Sequence, residues 1–166
     1  MGEYGMSYTD YYNEKLQEGK EYEDFISEKL RSVGIITGIY TSKRWQLEHG
    51  ESASGIEIKF DKRFKETGNL YIEVAEKSHP SMPEYSPSGI MRNDNSYLYV
   101  IGDYDQAFMF AKKQLQVIYE NTQYWSKRGI QLRQTKTSKG FLFPAKSAIE
   151  NNTCIRHFVF NKDKES

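Results

Sequence analysis

Cysteine, histidine and proline are scarce in this chain, and its formal net charge is zero. Of the 166 residues, one is cysteine, three are histidine and four are proline. A lone Cys154 excludes an intramolecular disulfide and fits a reducing cytoplasm, where we expect the protein to lie. Three histidines without metal-ligand spacing argue against a zinc site. No apolar run approaches the roughly 20 residues of a membrane span, so no membrane partner is expected.

What the chain does contain is enough apolar sequence for one folded domain. Hydrophobic residues make up 37% of the sequence and charged residues 28%, which is typical of a globular protein and not of a disordered one. We therefore treat residues 1–166 as a single domain with one core.

Alternating side chains predict a β-hairpin between Gly55 and Lys77. Two stretches alternate apolar and polar residues: Gly-Ile-Glu-Ile-Lys-Phe-Asp (55–61) and Leu-Tyr-Ile-Glu-Val-Ala-Glu-Lys (70–77). This is the period of a half-buried strand. Between them, Gly68 and Asn69 tolerate the positive φ that a turn requires. The expected hairpin would bring the polar faces of both strands together.

In the simplest register, acidic side chains meet on one face of this hairpin. Asp61 would face Glu73, and Glu57 would face Lys77, with opposed Cβ atoms roughly 5 Å apart. Clustered carboxylates repel one another when ionised, so they need a cation, a lysine or a proton. Mg²⁺ and Mn²⁺ favour oxygen ligands of this kind. The alternative is a solvated strand face with cross-strand ion pairs.

The order of an acidic residue, a hairpin, and then Glu73 and Lys77 resembles the core of the PD-(D/E)XK nuclease superfamily. The preceding helix, which contains Glu23, is similar to the first helix of that family, which often adds an acidic residue to the metal site. The family places its lysine two residues after the acid, where this chain has Ala75. Lys77 lies one step further on the same strand face, and Lys59 is a second source of positive charge.

This resemblance implies a fold, a reaction and a set of site residues. The fold would be restriction-endonuclease-like, an α/β or α+β arrangement with a central mixed β-sheet flanked by helices. The reaction would be Mg²⁺- or Mn²⁺-dependent hydrolysis of DNA phosphodiester bonds by an endonuclease or exonuclease. The enzyme would belong to phage, plasmid or restriction biology and could act as a homodimer. The implied catalytic residues are Glu57, Asp61, Glu73 and Lys77. The implied metal ligands are Asp61, Glu73, Glu57 and Glu23.

Charge is distributed as such a nuclease would need it. Residues 1–28 hold eight acidic and two basic residues, whereas residues 112–166 hold eleven basic and four acidic ones. Basic residues can hold phosphates, although a charge run is also typical of a solvated face. The expected DNA contacts are Lys59, Gln46, Ser52, Arg128, Arg133 and Lys136. The proline-containing loop Ser78–Gly89 could close over bound DNA.

The alternative function is a non-catalytic nucleic-acid-binding or protein-interaction module on the same fold. Metal binding and plasmid nicking would distinguish the two functions.

The remaining expected elements are a helix over Tyr8–Val33, a short strand over Ile35–Arg44, a strand over Ser96–Tyr104, a short strand over Ala107–Phe110, a helix over Ala111–Glu120 with Lys112 and Lys113 outward, a helical turn over Ala145–Ile149, and a last strand over Ile155–Phe160.

Overall fold

The structure, a computed structural model, describes residues 7–35 and 55–160. Within these ranges the helices are α1 (Tyr8–Ser32), α2 (Phe64–Thr67), α3 (Lys112–Glu120), α4 (Thr122–Ser126) and α5 (Ala145–Glu150), together with a 3₁₀ turn at Gly89–Met91. The strands are β1 (Ile56–Phe60), β2 (Asn69–Glu76), β3 (Ser86–Pro87), β4 (Leu98–Gly102), β5 (Gln106–Ala111), β6 (Gln131–Gln134), β7 (Ser138–Pro144) and β8 (Arg156–Val159).

The strands form two four-stranded sheets. Sheet A has the order β1-β4-β5-β8 and is mixed, because β1 runs parallel to β4 and the other pairs are antiparallel. Sheet B has the order β3-β2-β7-β6 and is antiparallel throughout. The expected α+β class is confirmed, with the strands divided between two sheets.

Helix α1 covers one face of sheet A. Its side chains Tyr22, Ile26 and Leu30 are buried against Val100 and Met109 of the sheet. The helix begins after Ser7, whose Oγ accepts the N–H of Asp10 at 3.1 Å, and it is followed by Gly34 with φ +87°. A side-chain cap at the start and a left-handed glycine after the end are the signals that predict this helix from sequence.

The main core lies on the other face of sheet A, against sheet B. Ile101 and Phe110 of sheet A pack with Ile72, Phe141 and Phe143 of sheet B. Helices α3 and α5 close this core with Leu115, Ile118 and Ala148. Strand β4 is therefore covered on both faces, which explains the near-continuous apolar run from which it is predicted.

The predicted hairpin between Gly55 and Lys77 is wrong, although both of its strands exist. Strand β1 pairs with β4 and strand β2 pairs with β7, so the two lie in different sheets. The chain leaves sheet A at Asp61, makes the single turn of α2, and enters sheet B after Gly68, which has φ +70°. Local alternation identifies strands, whereas their partners are set by packing with distant segments.

Other expectations have mixed outcomes. The strands predicted near residues 96–104, 107–110 and 155–160 are confirmed as β4, β5 and β8, and the helix and helical turn predicted after residues 110 and 144 are confirmed as α3 and α5. Lys112, expected outward, is buried. The predicted strand beyond Ile35 lies outside the described residues, and so do the predicted DNA contacts Gln46 and Ser52.

In the parts of the chain that are described, no helix combines the length and apolar character needed to cross a membrane.

Candidate functional site

Glu57 is a partly buried residue beside Tyr99 in the parallel register of β1 and β4. Its side chain is 11% exposed, and its Oε1 lies 3.3 Å from the Lys59 ammonium nitrogen. Its Oε2 has no hydrogen-bond partner among the described residues. Burial raises the pKa of Glu57, and Lys59 opposes part of that rise. The predicted opposition of Glu57 to Lys77 is therefore wrong, and Lys59 is the ionic partner.

Asp61 follows β1 and uses both carboxylate oxygens to bind backbone. Its Oδ2 accepts the N–H of Tyr71 at 2.8 Å, and its Oδ1 accepts the N–H of Arg63 at 3.1 Å. Burial raises the pKa of Asp61, and these backbone hydrogen bonds oppose the rise. The predicted opposition to Glu73 across a hairpin is wrong, because Glu73 is paired with Gly140 of β7. In this position Asp61 fixes the passage from one sheet to the other.

Glu73 lies in a cradle of hydroxyl groups on sheet B. Its Oε1 accepts a hydrogen bond from Ser88 Oγ, and its Oε2 accepts one from Ser138 Oγ, both at 2.8 Å. Ser138 Oγ is in turn 2.6 Å from the hydroxyl of Tyr71. The backbone closes tightly here, because a Cβ on Gly89 would lie 2.2 Å from the carbonyl oxygen of Glu73. The carboxylate is thus held by two serines and oriented within one network.

Three of the predicted acidic residues nevertheless act on one hydroxyl group, that of Tyr99. Tyr99 is buried, and its pKa is raised well above the usual value, first by that burial and then by the negative charges of Glu57, Glu73 and Asp61. Within residues 7–35 and 55–160, however, no group of three or more histidine, cysteine, aspartate or glutamate side chains could hold a metal ion. Asp61 and Glu73 as placed do not fit the expected ligand set, since their oxygens serve other hydrogen bonds.

Glu23 lies on α1 near the β1 edge. The residue is exposed overall. Partial burial of its carboxyl group raises the pKa of Glu23, and the positive charge of Lys59 opposes that rise. Glu57 adds a smaller upward contribution to the same pKa. Glu23 and Glu57 therefore both lie near Lys59, while Glu23 takes no part in the hydroxyl cradle of Glu73.

A basic surface lies at the end of sheet B, which we call the Tyr85 depression. It is an open hollow of about 590 Å³ lined by Lys77, Pro80, Tyr85, Gln134, Thr135 and Lys136. The ammonium nitrogens of Lys77 and Lys139 lie 4.5 and 4.3 Å from the centre of the Tyr85 ring. The Tyr85 hydroxyl donates to the carbonyl of Thr135 at 2.6 Å, which fixes the ring. Lys77, predicted as a catalytic group, thus belongs to this surface.

The other predicted DNA contacts are dispersed. Arg133 is exposed on β6, opposite Gly140. Arg128 stacks on the ring of Tyr124, with its Cζ 3.8 Å from the ring centre, and does not line the depression. Lys59 is 40% exposed and engaged with Glu57. Of the described members of this set, Lys136 lines the Tyr85 depression.

Sequence reasoning missed the hydroxyl cradle and the second lysine over Tyr85. Tyr71 could have been found, because it lies two residues before Glu73 and shares its strand face. Ser138 and Lys139 could not, because they reach this face only through the pairing of β7 with β2 across more than 60 residues of chain.

Comparisons of the chain with protein-family models, with curated proteins and with solved structures found no match.

Proposed function

We propose that the protein binds the sugar-phosphate backbone of DNA in the Tyr85 depression. The observation that carries this proposal is that Lys77 and Lys136 line one hollow with Tyr85, and that Lys139 lies with Lys77 over the Tyr85 ring. None of these lysines forms a salt bridge with a carboxylate of the described residues. Their charge is therefore available to an external anion.

The chemistry of the depression suits a chain of phosphates. Each phosphate neutralised by a lysine releases condensed counterions, which makes binding favourable and dependent on salt. The ring of Tyr85 holds two ammonium groups near its face through cation–π attraction, so less side-chain freedom is lost when a phosphate binds. The side chain of Gln134, which donates to the Tyr85 hydroxyl at 3.3 Å, and the residue Thr135 add polar groups to the wall.

Fluorescence anisotropy with labelled single- and double-stranded oligonucleotides tests the proposal. The double variant Lys77→Gln with Lys139→Gln should weaken binding by about tenfold or more at low salt and reduce the slope of log K against log salt by about 1.5. The matched control is Lys113→Gln, because Lys113 is exposed on α3 and does not line the depression. Absence of DNA binding by the unchanged protein, or equal weakening in the control, would contradict the proposal.

Metal-dependent cleavage of DNA is the second candidate, and the unpartnered Oε2 of Glu57 favours it. A buried carboxylate oxygen without a hydrogen bond is a costly feature, and a bound cation would satisfy it. Calorimetric titration with Mg²⁺ and Mn²⁺ tests this, with Glu57→Gln as the variant and the exposed Glu66→Gln as the control. If metal binding and plasmid nicking persist in Glu57→Gln, the Glu57 carboxylate is excluded as the metal site.

A further inference from the structure

Tyr71, Ser138 and Glu73 form a directed chain of hydrogen bonds on sheet B. Ser138 Oγ donates its only proton to Glu73 Oε2 at 2.8 Å. The 2.6 Å contact between Ser138 Oγ and the Tyr71 hydroxyl must therefore carry the proton of Tyr71. The phenol is thus connected through one serine to a carboxylate, which is an arrangement that can remove a proton from a nucleophile as it attacks.

The surrounding backbone holds Tyr71 in place. Its ring lies across Gly140, where a Cβ would be 2.9 Å from the ring atoms Cε2 and Cζ. Gly140 is paired with Glu73 on one side and with Arg133 on the other. The three strands therefore present the arginine, the ring and the carboxylate in one row. Burial raises the pKa of Tyr71 and the charge of Glu73 adds to the rise, while the hydrogen bond with Ser138 and the positive charge of Arg133 oppose it.

The same chain of hydrogen bonds adjoins the Tyr85 depression. Ser138 is the neighbour of Lys139, whose ammonium group lies over Tyr85. The carbonyl of Thr137 accepts the backbone N–H of Lys77 at 2.7 Å, which ties the two basic segments together beside Ser138. A reaction of DNA with Tyr71 requires that a phosphodiester held by these lysines reaches the Tyr71 hydroxyl.

We propose that Tyr71 is the nucleophile of a transesterification that cleaves DNA and links one of its ends to the protein. This proposal rests on the proposed binding of DNA. The Tyr71 oxygen forms a bond to phosphorus, and the bond from phosphorus to one deoxyribose oxygen breaks. The proton of Tyr71 passes to Ser138 while Ser138 passes its own proton to Glu73. The departing deoxyribose oxygen takes a proton from water, and Glu73 then returns its proton to the hydroxide left behind, so the step needs no oxidant, reductant or other co-reactant.

The products are a phosphotyrosine ester and a free DNA hydroxyl, and the reverse reaction rejoins the strand. A covalent adduct is therefore the direct signature of this step. Oligonucleotides with randomised sequence, in single-stranded and duplex form, should carry sulfur in place of the 3′- or 5′-bridging oxygen, because the departing thiol reverses the reaction poorly. Denaturing gels then report the adduct, and mass spectrometry of the digested protein reports the modified residue.

The expected result is an adduct on the peptide containing Tyr71, and its loss in Tyr71→Phe. Tyr124→Phe is the matched control, because Tyr124 is an exposed tyrosine outside the network, and it should react as the unchanged protein does. Ser138→Ala should slow adduct formation by about 100-fold or more, since it interrupts the transfer of the proton.

Anisotropy with the same oligonucleotides separates this proposal from the proposed function. DNA binding without an adduct overturns the role of Tyr71 and leaves the binding proposal standing, whereas absence of binding overturns both. An adduct that maps to another residue also overturns the role of Tyr71, and this mapping needs no variant to fold.

Discussion

The backbone N–H of Tyr71 donates a 2.8 Å hydrogen bond to Oδ2 of Asp61. This bond joins the residue that follows β1 to the strand β2, and so it connects sheet A with sheet B at the point where the chain crosses between them. The other oxygen of Asp61 accepts the N–H of Arg63 within the crossing. A carboxylate that the sequence suggests as a metal ligand thus holds the two sheets together.

Asp61→Ala should lower the free energy of unfolding by about 2 kcal/mol or more, because two backbone donors beside the core lose their acceptor. Asp61→Asn should cost less, since its amide oxygen can still accept one of the two hydrogen bonds. Urea denaturation followed by circular dichroism measures both. A loss below about 0.5 kcal/mol in Asp61→Ala, the level of an ordinary surface substitution, would show that the crossing does not depend on this side chain.

The buried carboxyl group of Glu57 makes stability depend on pH. Its pKa is raised in the folded protein, chiefly by burial, so the folded state binds the proton more tightly than the unfolded chain. Stability should therefore fall as the pH rises from the ordinary carboxyl pKa through the raised one. Glu57→Gln removes this fall and should be the more stable protein at neutral pH.

The two proteins should converge in stability at about pH 3 and below, under the ordinary carboxyl pKa of about 4.3, where Glu57 is protonated in both states. Urea denaturation at the two pH values gives the comparison. A Glu57→Gln protein that is less stable than the unchanged one at neutral pH would show that the contact with Lys59 outweighs the cost of burial.

Gly89 and Gly68 both have positive φ, at +52° and +70°, but only Gly89 lies against another chain segment. Gly68→Ala should cost about 1 kcal/mol, the penalty for a left-handed backbone. Gly89→Ala should cost clearly more, because its Cβ would lie 2.2 Å from the carbonyl oxygen of Glu73. Thermal or urea denaturation of both variants checks this difference. Equal losses would mean that the backbone around Glu73 adjusts freely.

Lys112 and Asp94 form a buried ion pair, with Nζ 2.6 Å from Oδ1 and the lysine side chain 5% exposed. Lys112 Nζ also donates to the carbonyl of Arg92 and to Ser96 Oγ, each at 3.0 Å. Lys112→Ala should lower the free energy of unfolding by about 3 kcal/mol, because Asp94 loses its counter-charge. Lys113→Ala, at the exposed neighbouring position, should change it little. Similar losses in the two variants would contradict the role of the pair.

Sequence periodicity predicts most of the elements in this fold. Helix α1 follows from its cap, its apolar stripe and the glycine after it, and β4 follows from an apolar run that needs cover on both faces. Pairing could not be predicted in the same way. The alternation around Glu57 and Glu73 is correct for each strand, but β1 and β2 bury their apolar faces against different partners, which only the three-dimensional packing decides.

The candidate site shows the same division between local and distant information. Lys136 belongs to the basic segment that sequence can identify and Lys77 to the predicted second strand, and the structure brings both to the Tyr85 depression. The helical pattern predicts Lys112 outward, and lysine is rarely buried without a partner. Its partner, Asp94, lies in a preceding loop, and no helical period could indicate that contact.

The most direct test of the account is to observe the lysines while DNA is added. Reductive ¹³C-methylation keeps the charge of each lysine and gives it an NMR signal, which single Lys→Arg variants can assign. With an oligonucleotide of roughly a dozen nucleotides, within the usual site size of strand-tracking grooves, the signals of Lys77, Lys136 and Lys139 should shift together. Those of the exposed Lys113 and Lys146 should stay in place. Shifts confined to other lysines, or no shifts at all, would contradict the binding of DNA there.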